Sequence, residues 1–398
     1  MVDRMAVRGY GGQGAHSAKC RAPGGRGRAS GQWSAFRTKD EDKVSGVFNM
    51  KITRRNFIKS TLMLGGSLIF SQSPVYALGQ KEEQWYPAYG KLEKAGKLAE
   101  RVEEAYSIFE ECQLCPRDCG VDRLEGDRGF CQAPLKVMVY VAQPHFGEEI
   151  SLVGDHGSGT IFFSNCNLRC VFCQNWPISL RGEGKEMEDE DLAQMMMYLQ
   201  KIGCHNINFV TPTHVMPNIL NATRIAFKKG LRIPLVYNTS GYERVEIIKI
   251  LDGIVDIYLP DIKYMDADMA AKYSSDARDY PEVATAAVLE MNRQVGVHQM
   301  DKRGIARRGL MIRHLVMPNR VAGTKKFVKW VAENLPQPTY VNIMAQYQVD
   351  YKAFDYPKIA RGITVQEFLE AMNWAEKYGL TGLDPRSVRV RDFYTKSG

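Results

Sequence analysis

The chain reads as an α/β protein: a partial (β/α)6 TIM-type barrel preceded by a small cysteine-rich segment. Three observations predict this. Short runs rich in Val, Ile and Phe recur between residues 159 and 346. Amphipathic helical patterns, several of them closed by glycine, separate those runs. Four cysteines crowd into residues 112–131, ahead of the first run.

The candidate strands are Gly159 to Ser164, Asn206 to Val210, Pro234 to Asn238, Asp256 to Leu259, Leu310 to Val316 and Val341 to Gln346. Their near-continuous apolarity suits strands buried on both faces, as in parallel sheets. Between the first two, Leu192, Met195, Met196, Leu199 and Ile202 fall at helical spacing within Glu188 to Ile202, and Gly203 follows. Asn218 to Lys229 ends at Gly230, and Glu243 to Leu251 precedes Gly253. Further helices fit Glu282 to Val295, Thr324 to Asn334 and Thr364 to Lys377. Six βα units imply a parallel sheet curled into a partial barrel. With six strands rather than eight, one side stays open and admits a bulky substrate such as a protein loop.

The chain has 53 Lys and Arg against 45 Asp and Glu, for a net charge of +8. Residues 1–59 hold thirteen of the basic residues and four of the acidic ones, so the rest is near neutral. No basic stripe with interleaved aromatics remains, and a nucleic-acid partner is not expected. Residues 1–49, rich in Gly, Arg, Ser and Ala, read as disordered or as an extension upstream of a start at Met50. Residues 50–78 carry Arg54-Arg55-Asn-Phe-Ile-Lys59, an uncharged run to Phe70 and Val75-Tyr76-Ala77. That pattern resembles a twin-arginine export signal, which implies a periplasmic protein; a cytoplasmic one is the alternative. Its apolar run is too short to span a membrane. The organisation expected after it is an N-terminal helix and four-cysteine segment at 79–150, a core at 151–350 and a helical extension at 351–398.

Cys166, Cys170 and Cys173 form C-x3-C-x2-C, with no fourth cysteine nearby. Thiolates are soft ligands for iron–sulfur clusters and zinc. A structural zinc closes its tetrahedron with four protein ligands. Three thiolates leave one metal position open, which points to chemistry rather than scaffolding.

The run from Gly157 through Cys166-Asn-Leu-Arg-Cys170-Val-Phe-Cys173-Gln-Asn-Trp176 resembles the signature of the radical SAM superfamily, and within it the branch related to pyruvate formate-lyase activating enzymes. The likeness covers roughly residues 105–385. It implies a [4Fe–4S] cluster on the three cysteines, whose unique iron binds S-adenosylmethionine (SAM). It implies an enzyme that reductively cleaves SAM to a 5′-deoxyadenosyl radical and abstracts hydrogen from a substrate. In the activating type that substrate is a glycine of a partner protein. A reductant protein of the flavodoxin or ferredoxin type is implied as electron donor. The alternative is a non-catalytic, exported iron–sulfur electron-transfer protein.

Cys112, Cys115, Cys119 and Cys131 form C-x2-C-x3-C-x11-C, with Gly120, Gly126 and Gly129 supplying turns. Three readings stay open for this second site: zinc, a second iron–sulfur cluster, or two disulfides. Cys204 reads as a packed thiol.

Strand ends supply the SAM-binding candidates, since catalytic groups in such folds come from the C-terminal ends of strands. Phe172 and Gln174 flank the third signature cysteine, and Thr211 opens Thr-Pro-Thr-His214 after the second strand. His214 is either a proton donor or substrate ligand, or a packing residue. Asn238 begins an amide- and hydroxyl-rich turn suited to ribose or carboxylate hydrogen bonds, or a plain turn. Asp261-Ile-Lys263 resembles the Asp-x-Lys that lies against SAM in activating enzymes; an internal ion pair is the other reading. Arg313 and His314 interrupt the fifth strand and cannot share a face. Arg313 is expected to pair with a SAM carboxylate. His145-Phe-Gly-Glu148-Glu149 also fits the family branch, without an assigned role.

Overall fold

The computed structural model describes residues 85–396. The extension expected at 1–49 and the export signal expected at 50–78 lie outside the described residues. The described chain is a mixed α/β fold around a nine-stranded sheet. Its strands are β1 (Val137–His145), β2 (Ser158–Phe163), β3 (Lys185–Met187), β4 (Ile207–Val210), β5 (Leu235–Thr239), β6 (Ile257–Pro260), β7 (Gln299–Met300), β8 (Ala306–Leu315) and β9 (Tyr340–Met344).

Strands β2, β4, β5, β6, β8 and β9 pair in parallel in chain order. They are the six expected runs, with ends shifted by up to four residues. Helices Asp189–Lys201, Met216–Lys228, Val245–Ile250, Tyr280–Val295 and Thr324–Asn334 connect them. Strands β4, β5 and β6 are almost wholly buried, which is why their sequences show no alternation.

The sheet extends beyond those six. Strand β1 pairs antiparallel with β2 and with β3, and β7 pairs antiparallel with β8. The boundary expected at residue 150 therefore runs just past a strand of the main sheet. Only Val137 and Val139 of strand β1 are buried, and it carries Gln143 and Pro144, so its sequence lacks the apolar density of the others. In place of the one N-terminal helix expected there are two, Ala88–Lys94 and Lys97–Ser107. The first is capped by Asp256, whose Oδ1 accepts from Ala88 N at 2.9 Å. The helix Val365–Lys377 opens with a capping box: Thr364 Oγ1 accepts from Glu367 N at 3.1 Å, and Glu367 accepts from Thr364 N at 2.8 Å. A further helix, Pro385–Lys396, packs its Ser387 against β9 through a 2.9 Å bond to Ile343 O. Among the described residues no helix is long and apolar enough to cross a membrane.

Candidate active site

A cavity of about 700 Å³ opens at the C-terminal ends of the parallel strands. That volume lies inside the range of roughly 300–1,000 Å³ typical of cofactor and ligand pockets. Cys166, Cys170, Phe172, Cys173 and Gln174 line it from the loop after β2. Thr211 follows β4, Asn238 lies on β5, Asp261 and Lys263 follow β6, and Arg313 projects from β8. All ten signature and SAM-binding candidates thus face one space. Cys112, Cys115, Cys119 and Cys131 lie outside it.

The cysteine loop holds an unusual backbone. Asn165 (φ 75°), Arg169 (φ 53°) and, after β4, Thr211 (φ 60°) are left-handed non-glycine residues. For a β-branched residue such as Thr211 that conformation is a genuine outlier, and strain of this kind gathers at functional sites. The loop after β5 needs Gly241 (φ 82°), because a Cβ there would stand 2.3 Å from Asp261 O.

Each loop thiol has a hydrogen-bond partner. Leu168 N–H donates to Cys166 Sγ at 3.4 Å, Ser274 Oγ donates to Cys170 Sγ at 3.1 Å, and Ser179 Oγ lies 3.1 Å from Cys173 Sγ. Burial pushes the Cys170 thiol up to about 12, against the pull of the Lys263 ammonium. Such thiols ionise when a metal replaces the proton. Among the described residues no three His, Cys, Asp or Glu side chains converge on a single ion. Three free thiols on one loop are the donor set of a [4Fe–4S] cubane, which takes one thiolate per bound iron.

Lys263 forms an ion pair with Asp261, each side chain about one-fifth exposed. Burial penalises the lysine charge, yet Asp261 and Cys170 hold its pKa above the ordinary value. Lys263 N–H donates to Tyr280 Oη at 2.9 Å, and that hydroxyl donates to Ser240 O at 2.7 Å, tying the β5 and β6 loops together.

Arg313 is committed elsewhere than expected. Its Nε donates to Glu149 at 2.8 Å and its terminal nitrogen bonds Glu148 and Glu149. Both glutamates are buried, and Asn342 and Arg386 also engage Glu149. His145 Nδ1 lies 3.1 Å from Glu148 Oε1. The free guanidinium expected for a SAM carboxylate is therefore taken up by the protein's own acids. The sequence pattern assigns Glu148 and Glu149 no role. Two adjacent glutamates and a lone arginine in an apolar strand were the available signal.

The two histidines do structural work. His214 is buried off the cavity, its Nε2 2.7 Å from Ser164 O, and burial lowers its pKa to about 4. His314 points opposite to Arg313, stacked on Phe327 with ring centroids 4.2 Å apart and bonded to Thr324 Oγ1 at 2.9 Å.

The eight described cysteines are all free, so the disulfide reading of the 112–131 group does not hold. Cys112 N donates to Val121 O at 2.9 Å, Gly120 N to Cys112 O at 3.1 Å, and Phe130 N to Cys119 Sγ at 3.3 Å. A Cβ on Gly129 would meet Cys119 Sγ at 2.8 Å. Cys204 is a packed thiol, 3 % exposed.

Three free thiols and a paired cation thus line one cavity at the C-terminal ends of the parallel strands of an α/β fold. The family model described as "Radical SAM superfamily" matches residues 160–302. The uncharacterised protein MJ0674 of Methanocaldococcus jannaschii is 35% identical over 297 residues, covering 72% of this chain and 80% of that protein. A second protein of that organism, the uncharacterised MJ0808, is 24% identical over 288 residues, 65% of this chain and 79% of its own length. The chain belongs to the radical SAM superfamily, and with it goes an enzyme using a [4Fe–4S] cluster and SAM. Among solved structures, methylornithine synthase (PylB) aligns at 12% identity and TM-score 0.37, over 77% of this chain and 83% of that one. TYW1 with a lysine-pyruvate adduct aligns at 12% identity and TM-score 0.35, over 55% and 73%.

Proposed function

We propose that this enzyme binds a [4Fe–4S] cluster through Cys166, Cys170 and Cys173 and abstracts hydrogen from a substrate held in the open cavity. The bound cluster and SAM supply the reductive S–C5′ cleavage that makes the 5′-deoxyadenosyl radical. One observation carries the reading: three free thiols and the Asp261–Lys263 pair wall the same cavity.

Each residue has its work there. Lys263 and Asp261 offer opposite charges to the amino and carboxylate groups of SAM. Asn238 adds amide hydrogen bonds, and Phe172 and Gln174 shape the wall beside the cluster. The Arg313–Glu148–Glu149 cluster ties β8 to residues 148–149 in the cavity wall. Six parallel strands in chain order support the partial-barrel reading. The signature run supports the activating-enzyme branch, whose substrate is a glycine of a partner protein, with a flavodoxin- or ferredoxin-like protein as electron donor. The Arg54-Arg55 pattern supports export, to be tested by fractionating cells that carry Arg55→Lys; an unaltered distribution would count against it.

The test of the core reading is SAM added to reduced, reconstituted protein. Release of 5′-deoxyadenosine is expected, and Cys170→Ala abolishes it. A cluster that cycles without producing 5′-deoxyadenosine returns the molecule to the electron-carrier reading.

A further inference from the structure

We propose that Arg386 and His145 anchor a carboxylate group of the substrate, which makes that substrate a small carboxylate-bearing molecule. The assignment rests on the function proposed above, since it concerns the same cavity.

A seam joins the loop after β1 to β8, β9 and the last helix, and it places both groups. Glu148 and Glu149 bond Arg313 of β8, and Glu149 also accepts from Asn342 of β9 at 2.8 Å. Arg386, near the start of the Pro385–Lys396 helix, donates from Nη1 to Gly147 O at 3.1 Å and to Glu148 O at 2.9 Å. The His145 ring lies beside the same glycine: a Cβ on Gly147 would stand 2.8 Å from its Cε1 and 3.3 Å from its Nε2. Gly147 has no side chain to come between the two cations, and all three residues line the cavity.

Exposure separates the signs. The side chains of His145 and Arg386 are each about one-third exposed. The acids paired with them are covered: the Glu148 side chain is 7% exposed, and those of Glu149 and Asp384 not at all. A ligand in the cavity therefore meets chiefly the cations of the seam.

Both cations keep donors in reserve. Arg386 makes its side-chain hydrogen bonds from Nη1. Glu149 lies 3.6 Å from Nη2 and Asp384 3.5 Å from Nε, ion-pair distances at which no hydrogen bond forms. His145 gives Nδ1 to Glu148 at 3.1 Å, and its Nε2 has no partner among the described residues. The hydrogen bond to Glu148 raises the His145 pKa above its ordinary value, against burial and Arg313, which favours the imidazolium that donates from Nε2.

A guanidinium and an imidazolium are charge-assisted donors to an oxyanion. With His145 charged, the cations Arg313, Arg386 and His145 balance Glu148, Glu149 and Asp384. A balanced seam suits one added negative charge better than the roughly two of a phosphate ester. The cavity of about 700 Å³ is shared with SAM, which leaves space for a small molecule.

The test measures binding to the reconstituted, SAM-loaded full chain by calorimetry. The probes are succinate, glutarate and benzoate, each beside its amide, and inorganic phosphate. At least one carboxylate is expected to bind at least about tenfold more tightly than its amide and than phosphate, and to lose at least about tenfold in Arg386→Gln and in His145→Gln. The two substitutions lie on separate elements, so a fold defect in one leaves the other to decide. The Kd of SAM should stay within about twofold of wild type in both; a loss of about tenfold would give the anchor to the cofactor's own carboxylate and overturn the assignment. No carboxylate binding, amides that bind as well as acids, or carboxylate binding that neither variant alters overturns it and leaves a glycine of a partner protein as the substrate. Tighter binding of phosphate overturns it in favour of a phosphorylated substrate. None of these readouts uses turnover, so the anchor and the proposed function fail separately: absence of 5′-deoxyadenosine sinks that function whatever the probes do.

Discussion

Ser274 Oγ donates a hydrogen bond to Cys170 Sγ at 3.1 Å, and Tyr264 Oη stands 3.0 Å behind that serine. A donor on a ligating thiolate stabilises the more negative, reduced cluster. Ser274→Ala should lower the reduction potential by roughly 40 mV, for about 1 kcal/mol of lost hydrogen bond and one electron. Potentiometric EPR titration reads this directly. An unmoved potential would show that the bond does not bear on the cluster.

Lys263→Ala should weaken SAM binding by about 1.5–3 kcal/mol, roughly ten- to a hundredfold in Kd, if its ammonium serves the cofactor as well as Asp261. Calorimetric titration of the reconstituted enzyme checks it. A Kd equal to that of wild type leaves only the internal ion pair.

Arg313→Met should destabilise the fold by about 3–5 kcal/mol, because it strands two buried carboxylates. Burial raises the pKa of Glu148, but Arg313 and His145 outweigh it and hold the group at about 2. Its folded value lies below the ordinary carboxylate value, so its stabilisation is present above about pH 4.5 and is lost as pH falls toward 2. In the variant that acid-side loss should vanish, with instability already present at neutral pH. Urea midpoints across the acid range distinguish the two curves.

Glu243 titrates in the other direction. Burial raises it to about 7, opposed by hydroxyl hydrogen bonds from Thr213 and Thr239. Its Oε2 has no partner, which suits a protonated acid. The stabilisation is present below about pH 4.5 and is lost as pH rises through 7, on the order of 3 kcal/mol for a shift of that size. Glu243→Gln keeps both acceptor bonds and should flatten the fall in stability between those limits. An unchanged slope would place the titration on Asp256, which burial also raises to about 7.

The parallel core was legible because burial on both faces writes an unbroken apolar run, as in Val236 and Tyr237 of β5. The cysteine loop was legible because its ligand spacing is local. Strand β1 was not, since it mixes buried and half-exposed positions and borrows its register from β2. The Arg313 network was not legible either. Glu148 and Glu149 lie 165 and 164 residues from Arg313 in the chain, and no local pattern announces a pairing across that separation. His214 and His314 looked equally chemical in the sequence; only their burial against Ser164 and Phe327 separates them from the site.

By itself the sequence determined the chemistry on offer: seven thiols in two groups, a carboxylate and an ammonium two residues apart, and six buried runs with helices between them. These are short-range properties, set by spacing along one chain. Tertiary structure decided which groups meet. It paired Arg313 with Glu148 and Glu149, and it brought Arg117 of the first cysteine segment onto Asn167 of the second. Charge pairing depends on distance in space, and that distance exists only once the sheet has brought its strand ends together.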